Sequence, residues 1–522
     1  FHLSKAMVIH MEVQQSSMKQ KNRFSNLLEH LMEVADIKNY MLAKELQYDV
    51  SYISKWVSGQ MLPSSKTETS VLQGISRCIV KDGTEEGRQT LLEDYRVPNY
   101  EDLQTAIYDN LMAEYNYVKD TQKETGNTIA PKTSYYPKLN MPQFIVKMQH
   151  PVLRRVKSLE IMALIDLMAI EREYRLQIIS MENGFLSEEL NYPDVHYSMV
   201  LDLNSMQGDY VYDVVFLLNM LTNLTHIDFH LYGSSQAHGR IIFCIKDDFS
   251  ITGMLMESNL CLSVTASEEQ ENCDILYRYI HSMCSRERLL FLPGTMTEML
   301  LKQDYTRSVL ASNQQLIVGH MTEHSLTIEL FEEICTQLIK EEKYAGPITI
   351  ENLRWFHALT QHSYMEMPIK IIFIGAALSE FAVTGELDFY NMKIKLTPKQ
   401  RLQYMQELSE RIKKNNMSCK MINGSLTADF LYFSNQWIFL SDNTSYMRLE
   451  SGQHTNRLYI VNHMDMKNIF YGFFDELWNN NEEKVISDKE TILQYIEHII
   501  GQIRMITLLD GQNTESNEEK KN

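Results

Sequence analysis

The sequence predicts a multidomain α+β protein, in which an all-α bundle is followed by a body of two pseudo-repeated α+β lobes with helical connecting segments. The chain has 522 residues, which is too many for one hydrophobic core. Apolar residues recur at helical spacing near the N-terminus. Two later stretches share one order of strands and helices, which indicates paired lobes.

Short amphipathic helices are predicted between residues 22 and 80, with the first apolar stripe beginning at Phe24. Asn39 is expected to cap the second helix and Asp49 the third, because their side-chain oxygens can accept hydrogen bonds from unpaired amides of a first turn. Gly59 is expected to end the third helix, because glycine readily adopts the left-handed conformation found there. These signals predict a compact helical bundle.

The third helix is predicted to separate an apolar face from a polar one. We place Ile53 on the inward side and rotate by 100° around the helix axis for each residue. Val50, Trp56 and Val57 then fall on the buried side. The opposite face carries Ser51, Lys55 and Ser58, flanked by Tyr52 and Ser54. The side chains of that face are mostly small, polar and able to form hydrogen bonds, as a helix in a DNA major groove requires.

The same stretch resembles a known family. The pattern is Leu42-Ala43-x-x-Leu46, then Ile53-Ser54, then Trp56-x-x-Gly59-x-x-x-Pro63-Ser64. It is similar to the helix-turn-helix of the lambda-repressor and Cro type, also called the XRE type, over residues 22–80. Gln47 stands where the family usually has glycine in the turn, and glutamine adopts the left-handed turn conformation only at some cost.

The resemblance implies that residues 22–80 bind double-stranded operator DNA. By analogy with the family, Asn39 would lie against a phosphate at the start of the second helix. The alternative interpretation is an ordinary surface helix pair, because serine, tyrosine and lysine occur on any solvated face. The candidate DNA-binding residues are Asn39, Asp49, Ser51, Tyr52, Ser54, Lys55 and Ser58.

The rest of the chain divides by composition. After the bundle at 22–80, the sequence predicts a helical extension at 81–118, a linker at 119–145, a first α+β lobe at 146–294, a helical connecting region at 295–385, a second α+β lobe at 386–505 and a disordered tail at 506–522. Within the first lobe, residues 151–180 are expected to form an apolar helical segment. Ile371 to Val383 is expected to be a buried strand followed by a helix start.

The paired lobes rest on a weak internal repeat. Tyr197 to Leu203 aligns with Tyr390 to Leu396, and each stretch is followed by a predicted helix and a strand that ends in Gly-Ser, at Gly233 and at Gly424. This order is similar to the phospholipase D-like fold, whose halves each contribute a His-x-Lys-x-x-x-x-Asp motif.

Catalysis by the body is not expected. His238 is followed by Arg240 where that motif has lysine, and Ile245 occupies the aspartate position. The second half has no histidine in the equivalent strand, although the reaction needs one histidine as nucleophile and another as acid. His238 is therefore interpreted as a loop histidine, and no catalytic residue, metal site or cofactor is predicted.

Charge confines any contact with DNA to the N-terminus. The net charge is −19, but residues 1–80 carry nine Lys/Arg and seven Asp/Glu, or +2, which leaves −21 on the rest. Seven scattered cysteines indicate neither a disulfide framework nor a zinc site. No membrane span or signal peptide is recognised, so a cytoplasmic location is expected.

These observations favour a bacterial transcriptional regulator that binds its operator as a homodimer. The body would supply the dimer interface and a pocket for a small-molecule or peptide effector. One alternative is a phosphodiesterase of phospholipase D type that the helix-turn-helix directs to nucleic acid. Another is a protein-interaction module of a mobile element.

Overall fold

The structure, a computed structural model, describes most of the chain. The described residues are 22–95, 97–124, 133–148, 159–180, 195–206, 208–224, 227–344, 346–414, 417–424, 436–449, 458–479 and 485–519. Contacts divide the chain into two compact units. The first contains residues 1–163, 172–197 and 241–279, and the second contains 164–171, 198–240 and 280–522.

Eighteen α-helices are defined within the described ranges. They are α1 Arg23–Val34, α2 Asn39–Leu46, α3 Val50–Val57, α4 Glu68–Asp82, α5 Glu85–Tyr95, α6 Tyr100–Glu124, α7 Met141–Met148, α8 Arg172–Ser180, α9 Tyr210–Asn223, α10 Gln270–Cys284, α11 Met296–Leu301, α12 Asp304–Val309, α13 Ile328–Lys340, α14 Ile350–Glu366, α15 Gly375–Thr384, α16 Pro398–Lys413, α17 Met464–Asn479 and α18 Lys489–Glu519.

Seventeen strands are defined in the same ranges. They are β1 Thr133–Asn140, β2 Leu159–Ile165, β3 Val195–Leu201, β4 Asp228–Gly233, β5 Arg240–Ile245, β6 Phe249–Glu257, β7 Leu260–Ser267, β8 Phe291–Gly294, β9 Gln314–Val318, β10 Ile369–Ile374, β11 Glu386–Phe389, β12 Met392–Lys395, β13 Ser418–Ile422, β14 Trp437–Ser441, β15 Tyr446–Arg448, β16 Leu458–Val461 and β17 Val485–Ile486.

Two large sheets follow the helical N-terminus. The seven-stranded sheet has the order β1-β7-β6-β5-β2-β3-β4, and the eight-stranded sheet has the order β17-β13-β10-β9-β14-β15-β16-β8. In the second sheet β10 is parallel to both β9 and β13, with Ile371 opposite Leu316 on one side and Cys419 on the other. The predicted mixed α+β class, with helices first and a sheet-containing body after them, is confirmed.

Helices α1 to α6 share one apolar core. Phe24, Leu28, Ile53 and Trp56 are buried there, as predicted from their spacing. The long helix α6 adds Tyr115, whose ring meets Phe24 edge to face at 6.1 Å between centroids. Burial of such large aromatic and aliphatic side chains is the main contribution that stabilises the folded bundle.

Four segment predictions differ from the structure. The predicted linker at 119–145 instead contains the end of α6, which runs to Glu124, all of β1 and the start of α7 at Met141. Residues 159–165 of the predicted helix at 151–180 form strand β2, because a short apolar run buried on both faces has no helical period to distinguish it. The predicted helical region at 295–385 contains α11 to α15 but also β9 and β10. Helix α18 runs to Glu519, through most of the predicted disordered tail, since the leucine and glutamate residues of this stretch also favour a helix.

The repeat alignment also needs correction at one strand. The aligned segment at 390–396 contains β12, which pairs only with β11 in a separate two-stranded hairpin, whereas β3 lies in the seven-stranded sheet. The predicted strand and helix start at Ile371 to Val383 is confirmed by β10 and α15. None of the described helices is both long and apolar enough to span a membrane.

Candidate DNA-binding surface and the cluster at His238

Helices α2 and α3 form the predicted helix-turn-helix. Gln47 ends α2 with φ 56° and ψ 38°, so the turn does have the left-handed geometry that glycine would favour. Asp49 then caps α3 by accepting a hydrogen bond from the backbone N–H of Ser51 at 2.9 Å. Hydrogen bonds from Ser51 lower the pKa of Asp49, so this cap is ionised at neutral pH.

The polar face of α3 is exposed, as predicted. Ser51, Tyr52, Ser54 and Lys55 are exposed, while Ile53 and Trp56 anchor the opposite face in the core. Ser58 is half-buried, and its hydroxyl donates to the backbone carbonyl of Lys55 at 3.2 Å. These hydroxyls and the lysine form one polar strip along the outer side of the helix.

Two details of the prediction are wrong. Lys38, not Asn39, holds the N-cap position of α2, because the backbone is already extended at Lys38, and Asn39 becomes the first helical residue. Val50 was placed on the buried side but is 44% exposed. As the first residue of α3, it lines a groove of about 520 Å³ together with Ile37, Asn39 and Tyr40 rather than entering the core.

The chain that follows α3 is held by the rest of the bundle. Gly59 adopts φ 74° just after the helix, and its carbonyl accepts from the side-chain amide of Asn22 at 3.3 Å. The hydroxyl of Tyr115 on α6 donates to the carbonyl of Pro63 at 3.1 Å. These bonds fix the exit of α3, and therefore the direction in which its polar face points.

Few cations surround this surface. Lys38, Lys44 and Lys55 are the only basic residues between Ile37 and Pro63. The ammonium group of Lys38 lies 2.7 Å from the carboxylate of Asp36, and this hydrogen bond raises the pKa of the lysine. Lys55 is exposed and lies over the ring of Tyr52 at 5.8 Å, which keeps its charge on the polar face of α3.

The second unit contains a cluster of ionisable groups that the sequence analysis did not assemble. Nδ1 of His238 lies 3.2 Å from Oδ2 of Asp202 and 3.4 Å from Oδ2 of Asp166. Each aspartate directly follows a strand, β2 for Asp166 and β3 for Asp202, and these strands are neighbours in the sheet. The sequence signal was an aspartate at the end of each apolar run, which the helix prediction at 151–180 concealed.

No protein-family model matches the chain, and no curated protein matches its sequence. Solved structures give matches of low similarity. A phosphatidylserine synthase from Haemophilus influenzae Rd KW20 is 9% identical with a TM-score of 0.25, over 76% of this chain and 98% of that chain. TrmBL2, an archaeal chromatin protein described as showing a novel mode of DNA binding, is 7% identical with a TM-score of 0.19. The match covers 49% of this chain and 99% of that chain. Similarities this low carry no argument about function.

Proposed function

We propose that this chain is a sequence-specific DNA-binding transcriptional regulator that acts as a homodimer. The observation that supports it best is the division of α3 into two faces. Ile53 and Trp56 are buried in the core. The exposed side chains on the other face of this short, capped helix are Ser51, Tyr52, Ser54 and Lys55. A helix that is anchored on one side and polar on the other can enter a major groove without unfolding the bundle.

The exposed side chains have suitable chemistry for reading DNA. Serine and tyrosine hydroxyls can donate or accept hydrogen bonds at base edges, and lysine can bind guanine acceptors or a phosphate. The first-turn amides of α2, beginning at Asn39, can receive a backbone phosphate because the start of a helix carries partial positive charge. On this proposal α3 reads sequence and α2 fixes the position on the duplex.

The charge balance favours two copies of the chain on DNA. Residues 1–80 carry a net charge of only +2 and so supply few phosphate contacts, and Lys38 already has Asp36 as a partner. Two bundles on a symmetric operator double the number of contacts, with half-sites separated by about one helical turn of DNA. The body carries −21 outside the first 80 residues, and we assign it to dimerisation and to binding a small-molecule or peptide effector, not to contact with DNA.

We assign no catalysis to the body. Arg240 and Ile245 replace two residues of the phospholipase D-like motif, and residues 425–440 contain no histidine that could supply the second half-site. Residues 425–435 lie outside the described part of the structure. Without a paired histidine, His238 has no acid to protonate the leaving group of a phosphodiester.

The test begins with selection of a bound sequence from a random duplex library, using the full chain. In gel-shift titrations on that sequence, Ser51→Ala combined with Lys55→Glu should lower affinity by about 100-fold or more, because two contacts of about 1–3 kcal/mol are removed. The control is Lys81→Glu, the same charge reversal at an exposed position on α4. Unchanged affinity in the double variant, with normal folding by circular dichroism, would overturn the assignment.

Dimerisation is tested separately by the spacing of the half-sites. Inserting five base pairs between them rotates one half-site to the opposite face of the duplex, so binding should fall sharply. Inserting ten base pairs restores the rotational phase and should recover part of the affinity. Sedimentation of the complex should give two chains per operator, and one chain per operator at saturation contradicts the homodimer.

A further inference from the structure

Asp166, Asp202 and His238 converge at one edge of the seven-stranded sheet. Asp166 follows β2, Asp202 follows β3, and His238 lies just ahead of β5. One ligand atom from each residue lies within 4.8 Å of the other two. In the second unit, Asp166 lies in the segment 164–171, whereas Asp202 and His238 lie 36 residues apart in the segment 198–240, so the fold itself brings the three together.

The spacing of the ligand atoms suits a metal ion. A divalent transition metal bound at about 2.1 Å holds neighbouring ligand atoms about 3.0–3.4 Å apart, whether the geometry is octahedral or tetrahedral. Nδ1 of His238 lies 3.2 Å and 3.4 Å from the two carboxylate oxygens, which falls in that range. Both carboxylate oxygens therefore already lie at a distance from Nδ1 that suits binding to one shared ion.

Burial supplies a second, independent observation. The side chains of Asp166 and Asp202 are 1% and 2% exposed, so two carboxylates sit side by side almost without solvent. Oδ1 of Asp166 has no hydrogen-bond partner among the residues that the structure describes. A buried carboxylate oxygen without a partner is costly, and a cation is the ligand that would satisfy it.

Neighbouring backbone groups hold both carboxylates in place. The N–H of Gly239 donates to Oδ2 of Asp166 at 2.7 Å. Asn204 donates both its backbone N–H and its side-chain amide to Oδ1 of Asp202, each at 3.0 Å. Oδ2 of Asp202 faces His238 and also accepts a long hydrogen bond from the Ser205 hydroxyl at 3.5 Å. Hydrogen bonds that orient the ligands in this way are typical of protein metal sites.

We propose that Asp166, Asp202 and His238 bind one divalent transition-metal ion. One imidazole nitrogen with two carboxylates favours Mn²⁺ or Zn²⁺, because Mg²⁺ and Ca²⁺ prefer sites made only of oxygen ligands. The two carboxylate charges match the charge of the ion when His238 is neutral. His238 is 74% exposed, so the ion enters from solvent and keeps water in its remaining coordination positions.

The test uses the full chain after treatment with a chelator and removal of that chelator. Calorimetric titration with Mn²⁺ and with Zn²⁺ should show one saturable site per chain for at least one of them, and Mg²⁺ should bind at least tenfold more weakly. The same ion should raise the unfolding temperature, because it binds the folded chain. The measurements contain no DNA, so they succeed or fail independently of the proposed regulatory function.

Substitutions locate the site. His238→Ala and Asp166→Asn should each lower metal affinity at least tenfold and remove the rise in unfolding temperature. Because His238 is exposed, its replacement leaves the fold intact without metal. The matched control is His463→Gln, a histidine beside a single carboxylate, Asp465 at 3.8 Å. Absence of a saturable site for both ions, or an equal loss of affinity in the control, would overturn the proposal.

Discussion

The guanidinium group of Arg448 meets the carboxylate of Glu323 at two points, with Nη1 2.9 Å from Oε2, and the two side chains are 6% and 0% exposed. The same carboxylate oxygen accepts the backbone N–H of Tyr390 at 3.1 Å. Burial by itself lowers the pKa of the Arg448 guanidinium. The Glu323 carboxylate outweighs this effect, so the pKa is raised above its ordinary value. Each charge is therefore tolerated only because the other is present.

Arg448→Met should lower the free energy of unfolding by about 3–5 kcal/mol, because it leaves the Glu323 carboxylate buried without its partner. Chemical denaturation monitored by tryptophan fluorescence measures the change, since Arg448 lies over the ring of Trp437 at 5.0 Å. As a control, Arg278→Met breaks an exposed ion pair with Asp274 and should cost under about 1 kcal/mol. Similar losses in both variants would contradict this account of the buried pair.

The stability of the second unit should fall in acid because of His357. Burial lowers the pKa of this histidine from its ordinary value near 6.5 to about 4, and its ring stacks on Phe331 at 3.9 Å. Its contribution is fully present above pH 6.5 and is lost as the pH falls towards 4, because only the unfolded chain takes up the proton there. The total loss is about 3 kcal/mol.

Unfolding measured between pH 7 and pH 4 checks this expectation. His357→Phe should make the free energy of unfolding depend less on pH than in the natural chain, since phenylalanine keeps the stack and does not titrate. His362→Gln on the same helix removes an exposed histidine and should leave the pH dependence unchanged. Equal pH dependence in the His357→Phe variant and the natural chain would show that another group is responsible.

Gln47→Gly should stabilise the N-terminal bundle by about 0.5–1 kcal/mol. Gln47 has φ 56°, a conformation that strains an L-residue and that glycine adopts freely. Gln60→Gly is the matched control, because Gln60 is exposed and is not among the described residues with positive φ. There, glycine should destabilise the protein by enlarging the freedom of the unfolded chain. Thermal unfolding of the two variants should shift in opposite directions.

Removal of the Asp49 cap should weaken the proposed operator binding without any change in the polar face of α3. Asp49→Ala leaves the N–H of Ser51 without its acceptor, so the first turn of α3 frays. Asp49→Ser restores an acceptor without the charge and should recover most of the affinity. Gel-shift titrations separate the two effects. If the serine variant binds as poorly as the alanine variant, the charge of Asp49 matters and its capping role does not explain the loss.

The helix-turn-helix could be predicted from sequence because its signals are local. The cap at Asp49 and the spacing of Ile53 and Trp56 lie within one helix, and each was confirmed. Val50 was misplaced because its surroundings come from Ile37 and Tyr40, on neighbouring elements that helical spacing does not describe. Local patterns predict which face of a helix is buried, but not which residues lie beside its ends.

The cluster at His238 could not be predicted in the same way. Successive members are 36 residues apart in sequence, from Asp166 to Asp202 and from Asp202 to His238. Their proximity depends on β2 being a strand next to β3, and the apolar run in β2 has no period that separates it from a buried helix. A sheet joins residues by strand order, and that order is a property of the whole fold.

Under the proposed function, the two-faced construction of α3 has a consequence for how DNA recognition can diverge. Stability depends on Ile53 and Trp56, whereas Ser51, Ser54 and Lys55 make no contribution to the core. Mutations at the exposed positions are therefore nearly neutral for folding. If α3 reads DNA as proposed, duplicated copies can acquire new target sequences through a few such changes, while the inherited helical core remains as it was.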